Sequence, residues 1–222
     1  MPGLHVGLAQ AQRCMPWRTA LLTLTALALH FGAGPAPAGL MLDRAGVVGG
    51  EWWRLLTGHW VHSDADHALW NIAAFAFLGV LFERTLGWRL FGSLALGMLL
   101  VDAWVLLGLP ELSRYCGLSG ILNALLAADL IALWREGGDP WVALVGAGAV
   151  LKIALESVLG QALFSNLRWA SVPTAHAVGL VAGLLASIPT ASASCPSRTD
   201  GSATRATGTP GSGNRACRTS RA

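Results

Sequence analysis

Two residues of this chain have the chemistry of acyl transfer: a serine in Gly117-Leu118-Ser119-Gly120 and a histidine in Ala175-His176-Ala177-Val178-Gly179. A serine hydroxyl is a weak nucleophile until a base takes its proton, and an imidazole in apolar surroundings is costly unless it is used. They lie on different hydrophobic segments, so they act together only if the fold joins those segments. Ser119 stands where an irregular stretch, 110–118, meets an apolar run that reaches Trp134, which places it at a helix N-terminus. Unpaired N–H groups and the helix dipole favour negative charge there, such as that on the oxygen formed when a serine attacks a carbonyl. Past His176, Gly179 and Gly183 form a Gly-x-x-x-Gly strip that lets another helix approach closely, and the Ser119 helix is the expected partner.

Other polar residues bear on that chemistry. His67 and Asn71 are four apart and share a helical face, where they can either donate to an oxyanion or make a packing hydrogen bond. Asp102, Asp129, Lys152 and Glu156 fall inside apolar segments and need partners. Lys152 and Glu156 can pair across one turn, whereas Asp129 lies about 15 Å along the helix from Ser119, too far to orient a histidine beside it. The expectation is a Ser119–His176 dyad without a third acid; the alternative is a set of charges lining a solute path. His59, His62, Asp64, Asp66 and His67 gather nitrogen and oxygen donors, but their spacing matches no strong metal motif, so neither a metal nor an organic cofactor is expected. Asp64 and Asp66 read instead as cap and first-turn carboxylates.

The elements that must position these residues are membrane helices. Of 222 residues, 54% are hydrophobic and 12% charged, too apolar for an ordinary soluble domain. About six spans of a length suited to hydrocarbon are expected, near 17–31, 67–86, 88–109, 119–134, 140–164 and 172–188. The first has the charged start and small-residue exit of a cleavable leader, but further spans follow, and it reads as a retained helix. The domain plan is an N-terminal segment 1–16, a membrane domain 17–189 with its first loop at about 34–66, and a disordered Ser/Thr/Gly/Arg-rich tail 190–222. Arginines bias both termini to the cytoplasm and the first loop outward. That loop is rich in tryptophan between Glu51 and His62, as suits the outer interface. A net charge of +3 gives no reason to invoke nucleic acid. Four scattered cysteines, Cys14, Cys116, Cys195 and Cys217, imply no disulfide.

In their order along the chain these pieces resemble the rhomboid family of intramembrane serine proteases, over roughly Trp52 to Ile188. Trp53-Arg54 looks like the family's first-loop Trp-Arg. His62, His67 and Asn71 match its histidine-rich loop and the His-x-x-x-Asn entry to the second helix, which Gly79, Glu83 and Gly87 then close. Gly117 to Gly120 matches the Gly-x-Ser-Gly, and Ala175 to Gly183 the Ala-His-x-x-Gly-x-x-x-Gly. The resemblance implies an all-α bundle of about six transmembrane helices, with a water-filled cavity open to the outer face. In it Ser119 attacks, His176 serves as base and then acid, and His67, Asn71 and the Ser119 N–H form the oxyanion hole. Trp53, Arg54, His62, Glu83, Gly117, Gly120, Gly179 and Gly183 would be structural supports, Arg54 holding loop carbonyls and Glu83 anchoring the inner end of the second helix.

One position departs from the pattern: Asn123 stands where many members carry an aromatic residue stacked on the histidine, and a hydrogen bond from Asn123 to the imidazole is one alternative support. Within the family, the run Tyr115 to Gly120 and the opening Gly50 to Trp60 look most like rhombosortases. That resemblance implies a bacterial inner-membrane enzyme open to the periplasmic side. Its substrates would be secreted or surface proteins with a C-terminal Gly-Gly motif, hydrophobic helix and basic end, cleaved by hydrolysis or transferred to an amine.

Overall fold

Each long apolar run closes its own backbone hydrogen bonds as a helix, and the turns between them fall where glycine, proline or a capping carboxylate stops the pattern. The computed structural model describes residues 16–160, 163, 169 and 172–188; the expected N-terminal segment and tail, with Cys14, Cys195 and Cys217, lie outside the described residues. The long helices are α1 (Trp17–Ala33), α4 (Ala65–Leu86), α5 (Arg89–Ala103), α6 (Ser119–Gly137), α7 (Pro140–Leu159) and α8 (Pro173–Ala186). The short helices α2 (Arg44–Val48) and α3 (Arg54–Thr57) belong to the loop after α1. A two-residue antiparallel ladder pairs β1 (Leu42–Asp43) with β2 (Arg114–Tyr115), in the register Leu42 with Tyr115 and Asp43 with Arg114.

Three helix ends differ most from the sequence expectation, the other bounds shifting by one or two residues. Regular α-helix in the third segment stops at Ala103 and continues as a π-helical turn over Trp104–Gly108. Its end is covered by Arg44, whose guanidinium donates to the carbonyls of Val105, Leu106 and Leu109 at 2.6, 2.7 and 2.8 Å. A cation at a helix C-terminus satisfies the orphan carbonyls and suits the dipole. The fourth helix runs on to Gly137, where Gly138 takes a left-handed conformation. The fifth ends at Leu159 rather than near Phe164, because left-handed Gly160 (φ 67°) turns the chain and its N–H closes on the Glu156 carbonyl.

The central helix is α6, which packs most extensively on α8 and also on α5 and α4. Glycine sets its distance from α8: a Cβ added at Gly179 would lie 1.8 Å from the Gly120 carbonyl oxygen, and one at Gly183 would lie 2.1 Å from that of Ala124. α1 joins α4 by a similar approach, Gly79 facing Thr19. One turn further along α4 the buried Glu83 carboxylate accepts the N–H groups of Arg18 and Thr19 at 3.1 and 2.7 Å. It thus caps the first turn of α1 from another helix, where unpaired donors and the dipole both favour an anion.

The outward faces are apolar. Leu24, Phe77, Leu99, Leu144, Leu151, Val158 and Leu185 are exposed, and α7 presents most of its surface outward. Two stretches, Arg89–Gly108 and Pro140–Leu159, are long and apolar enough to cross a membrane, while Ala65–Leu81 and Pro173–Ala186 are shorter apolar helices. An apolar belt of this extent is stable against lipid and unstable in water.

Gly179→Leu should force α6 and α8 apart and lower the thermal midpoint of the detergent-solubilised protein, as overpacking of a close contact costs about 1–3 kcal/mol. Glu83→Ala should also destabilise, by about 2–3 kcal/mol, since it leaves charge-assisted bonds unmade in a buried site. Glu83→Asp, too short to reach both donors, should fall between; a midpoint equal to that of the unaltered protein would contradict the cap.

Candidate active site

The first loop is a folded platform built on one buried arginine. Arg54 donates through its guanidinium to the carbonyls of Ala38 and Met41 at 2.6 and 2.9 Å and is paired with Glu51. Trp53 is half exposed, and its indole N–H reaches the Gly39 carbonyl at 3.1 Å. The Thr57 hydroxyl bonds to Leu40 O, and buried His59 meets Asp102 of α5 at 3.0 Å. From this platform the β1–β2 ladder, a Gly117 N–H to Gly58 carbonyl bond and an Arg114–Asp43 ion pair hold the segment that leads into α6. The loop thereby fixes the backbone just before Ser119.

Ser119 is the first residue of α6, half-buried, so its N–H falls in the first turn, where helices have no internal acceptor. Gly117 approaches with φ 113°, and a Cβ there would lie 2.5 Å from Nε2 of His67. Glycine is needed at that point for both conformation and space. His67 itself is held on its other edge, Nδ1 lying 3.0 Å from the Ser63 hydroxyl, which turns Nε2 toward the loop entering Ser119. Asp64 caps α4 by accepting the His67 N–H at 2.8 Å. One turn on, Asn71 spends one amide hydrogen on the His67 carbonyl at 2.8 Å and keeps the other. His62 is fully buried against His67, and burial pushes its imidazole down to about 3, so it packs as a neutral ring.

His176 is the fourth residue of α8 and is buried. Pro173 starts that helix, and the Trp104 indole of the π turn donates to the Thr174 hydroxyl at 3.0 Å. The glycine contacts then set its height against α6: Gly120, next to Ser119, abuts both Gly179 and the carbonyl of Ala175, next to His176. Ser119, His176, His67, Asn71 and Asn123 consequently line one cavity of about 1290 Å³, bounded by α4, α6, α7 and α8. Cys116 also faces it, but burial pushes that thiol up to about 12, so it stays protonated and is a poor nucleophile.

Two expectations about the imidazole are corrected. Asn123 does not reach it; its amide donates to the Ser119 carbonyl one turn back at 2.8 Å, the nearest acceptor to a side chain four residues along a helix. A carboxylate, however, does reach it. Oε2 of Glu156 lies 3.1 Å from His176 Nδ1, while Oε1 of the same group accepts from Lys152 Nζ at 2.6 Å and from the Leu163 N–H at 3.1 Å. The sequence pattern paired Glu156 with Lys152 and went no further, but a carboxylate has two oxygens and can serve both sides. A charge in an apolar helix one turn from a lysine was the available signal.

The donor cluster in the first loop is dispersed by these bonds: His59 goes to Asp102, Asp64 to the helix start, and His62 into the core. Among the described residues no group of three or more such side chains is arranged to hold a metal ion.

Comparison with known proteins agrees with this architecture. Residues 49–193 match the family described as Rhomboid domain. Over 134 residues the chain is 32% identical to rhomboid-type serine protease 2 of Emericella nidulans (strain FGSC A4), an alignment that covers 57% of this chain and 25% of that protein, so the chain spans about a quarter of the relative's length. A match across most of the described helices, joined to a serine at a helix start and a histidine on the helix pressed against it, places the chain in the rhomboid family.

Proposed function

We propose that this protein is an intramembrane serine endopeptidase in which Ser119 is the nucleophile and His176 the general base. The observation that carries the reading is the glycine-mediated contact of α6 with α8, which sets both residues on the wall of one cavity between apolar helices. In the first step the Ser119 hydroxyl proton passes to Nε2 of His176 as Oγ bonds to the scissile carbonyl carbon, whose oxygen takes the negative charge. The Ser119 N–H at the start of α6, the free Asn71 amide hydrogen and the His67 ring then stabilise that oxyanion, aided by the helix dipole. As the intermediate collapses, the peptide C–N bond breaks and the imidazolium gives its proton to the leaving amine. Water, activated by the same imidazole, releases the acyl group from the serine.

Water must enter and helical substrate must unwind for this chemistry. The cavity suits both, since its lining joins the polar side chains of Ser119, His176, His67 and Asn71 to exposed apolar side chains of α4 and α7 such as Trp70 and Leu151. The substrates proposed are proteins held by a C-terminal transmembrane helix of the Gly-Gly, hydrophobic, basic type. The rhombosortase-like run Tyr115 to Gly120 and the first-loop opening support that assignment. The corresponding location is the bacterial inner membrane with the site facing the periplasm, and the lipid bilayer is the solvent of the bundle. An amine in place of water at the second step would give transfer instead of hydrolysis.

Co-expression with a reporter bearing such an anchor tests the reading through the mass and membrane attachment of the reporter. Ser119→Ala and His176→Ala should each reduce product by about 10²–10⁴-fold while leaving the protein inserted, the loss expected for a missing nucleophile or base. Product formed equally by Ser119→Ala would overturn the serine mechanism. Asn71→Ala should lower kcat more than it raises KM, by about 10²-fold, as for one donor lost from an oxyanion site.

A further inference from the structure

Glu156 occupies an unusual position for a charge in a hydrophobic helix. Its side chain is 1% exposed, and both oxygens are engaged: one on His176 Nδ1, the other on Lys152 and the Leu163 N–H. Leu163 lies just beyond α7 in the chain, so the carboxylate joins α7 and the Leu163 N–H to the imidazole on α8. A buried carboxylate beside a histidine has two physical consequences. It accepts an N–H, so it selects the tautomer with the proton on Nδ1 and leaves the Nε2 lone pair free. It also stabilises the imidazolium relative to the neutral ring. Lys152, a turn away and partly exposed to the cavity, compensates the carboxylate while that ring is neutral.

We infer that Glu156 is a positioning residue for His176, so that the proton-transfer unit is Ser119–His176–Glu156 with Lys152 as the counter-charge rather than a Ser119–His176 dyad alone. The inference rests on the assignment of His176 as general base and adds to it a source for the tautomer and orientation that base requires. Among the described residues no other group near the ring replaces it. Asn123 is spent on the Ser119 carbonyl, Asp102 is held by His59, and His67, which faces the ring from α4, is a neighbour of the same kind and not an acceptor of opposite charge. Asp129 is buried on α6 with no hydrogen-bond partner among the described residues, well down the helix from Ser119.

A purely structural clasp between α7 and α8 would be lost equally in stability and activity, whereas a positioning carboxylate alters the imidazole itself. The test uses the full chain in detergent, with ¹⁵N-labelled histidine and His176→Ala to assign the ring signals, beside the anchor-cleavage assay. In the unaltered protein His176 should carry its neutral-form proton on Nδ1. In Glu156→Gln the population of that tautomer should fall. The value of kcat should fall about ten- to hundredfold with KM little changed. Glu156→Asp should recover part of the rate. A His176 ring that is Nε2–H in the unaltered protein, or whose tautomer is unmoved by Glu156→Gln, overturns the inference, and so does an unchanged kcat. Because the ring signals are read without substrate, they remain decisive if the reporter is not cut. An intact reporter with the expected ring behaviour would count against the proposed peptidase and not against the role of Glu156. If Glu156→Gln does not fold, the ring tautomers of the unaltered protein and of Glu156→Asp decide the matter.

Discussion

The rest of this structure depends on how closely α6 and α8 can approach. Helices in an apolar medium gain nothing from expelling lipid from between them, and are held by packing and hydrogen bonds that require short distances. Here the distance is set by the absence of two side chains, at Gly179 and Gly183, against the carbonyls of Gly120 and Ala124. Because the contact involves backbone on both sides, it leaves little freedom in the relative height of the helices. Height is what puts Ser119 and His176, each within the first turn of its own helix, at one level of one cavity.

That contact only positions helices, and a serine at a helix start also needs its local backbone fixed. The loop after α1 does this from above. Arg54, buried, binds loop carbonyls; β1 pairs with β2; and the Gly58 carbonyl takes the Gly117 N–H two residues before Ser119. Arg44 does the same for the preceding helix by closing the exposed carbonyls of the π turn. Each of these arginines is far from Ser119 in sequence, and each satisfies backbone acceptors that would otherwise be orphaned near an apolar phase. The stability of the platform and the geometry at Ser119 are thus coupled through hydrogen bonds, not through side-chain contacts with the serine.

Charges inside the bundle follow one rule in several forms: each carboxylate that is paired serves to join two elements. Glu83 caps α1 from α4, Asp102 holds the loop histidine His59 to α5, and Glu156 links α7 to His176 on α8. A buried ion or hydrogen-bonded charge costs solvation that only well-aligned partners offset. Such groups therefore fix a unique arrangement of helices where apolar packing alone would tolerate sliding.

Much of this was legible in the sequence because it is local or periodic. Apolar runs defined the helices, Asp64 marked a cap, and the Gly-x-x-x-Gly strip identified the face of α8 that packs closely. Ser119 at a helix start and His176 on an apolar helix could be singled out by residue type, since each is expensive or idle without a partner. Residue type and spacing could not say which oxygen of which carboxylate would face the imidazole. The i, i+4 rule pairs Glu156 with Lys152 on one helix, whereas its bond to His176 crosses to another helix twenty residues on. The same holds for Arg44 reaching over sixty residues to the π turn, and for Asn123, whose own helix offered an acceptor before the imidazole could. Local physics fixed the elements and nominated the reactive groups; the contacts that orient them depend on crossing distance and rotation between helices, which only the packed bundle decides.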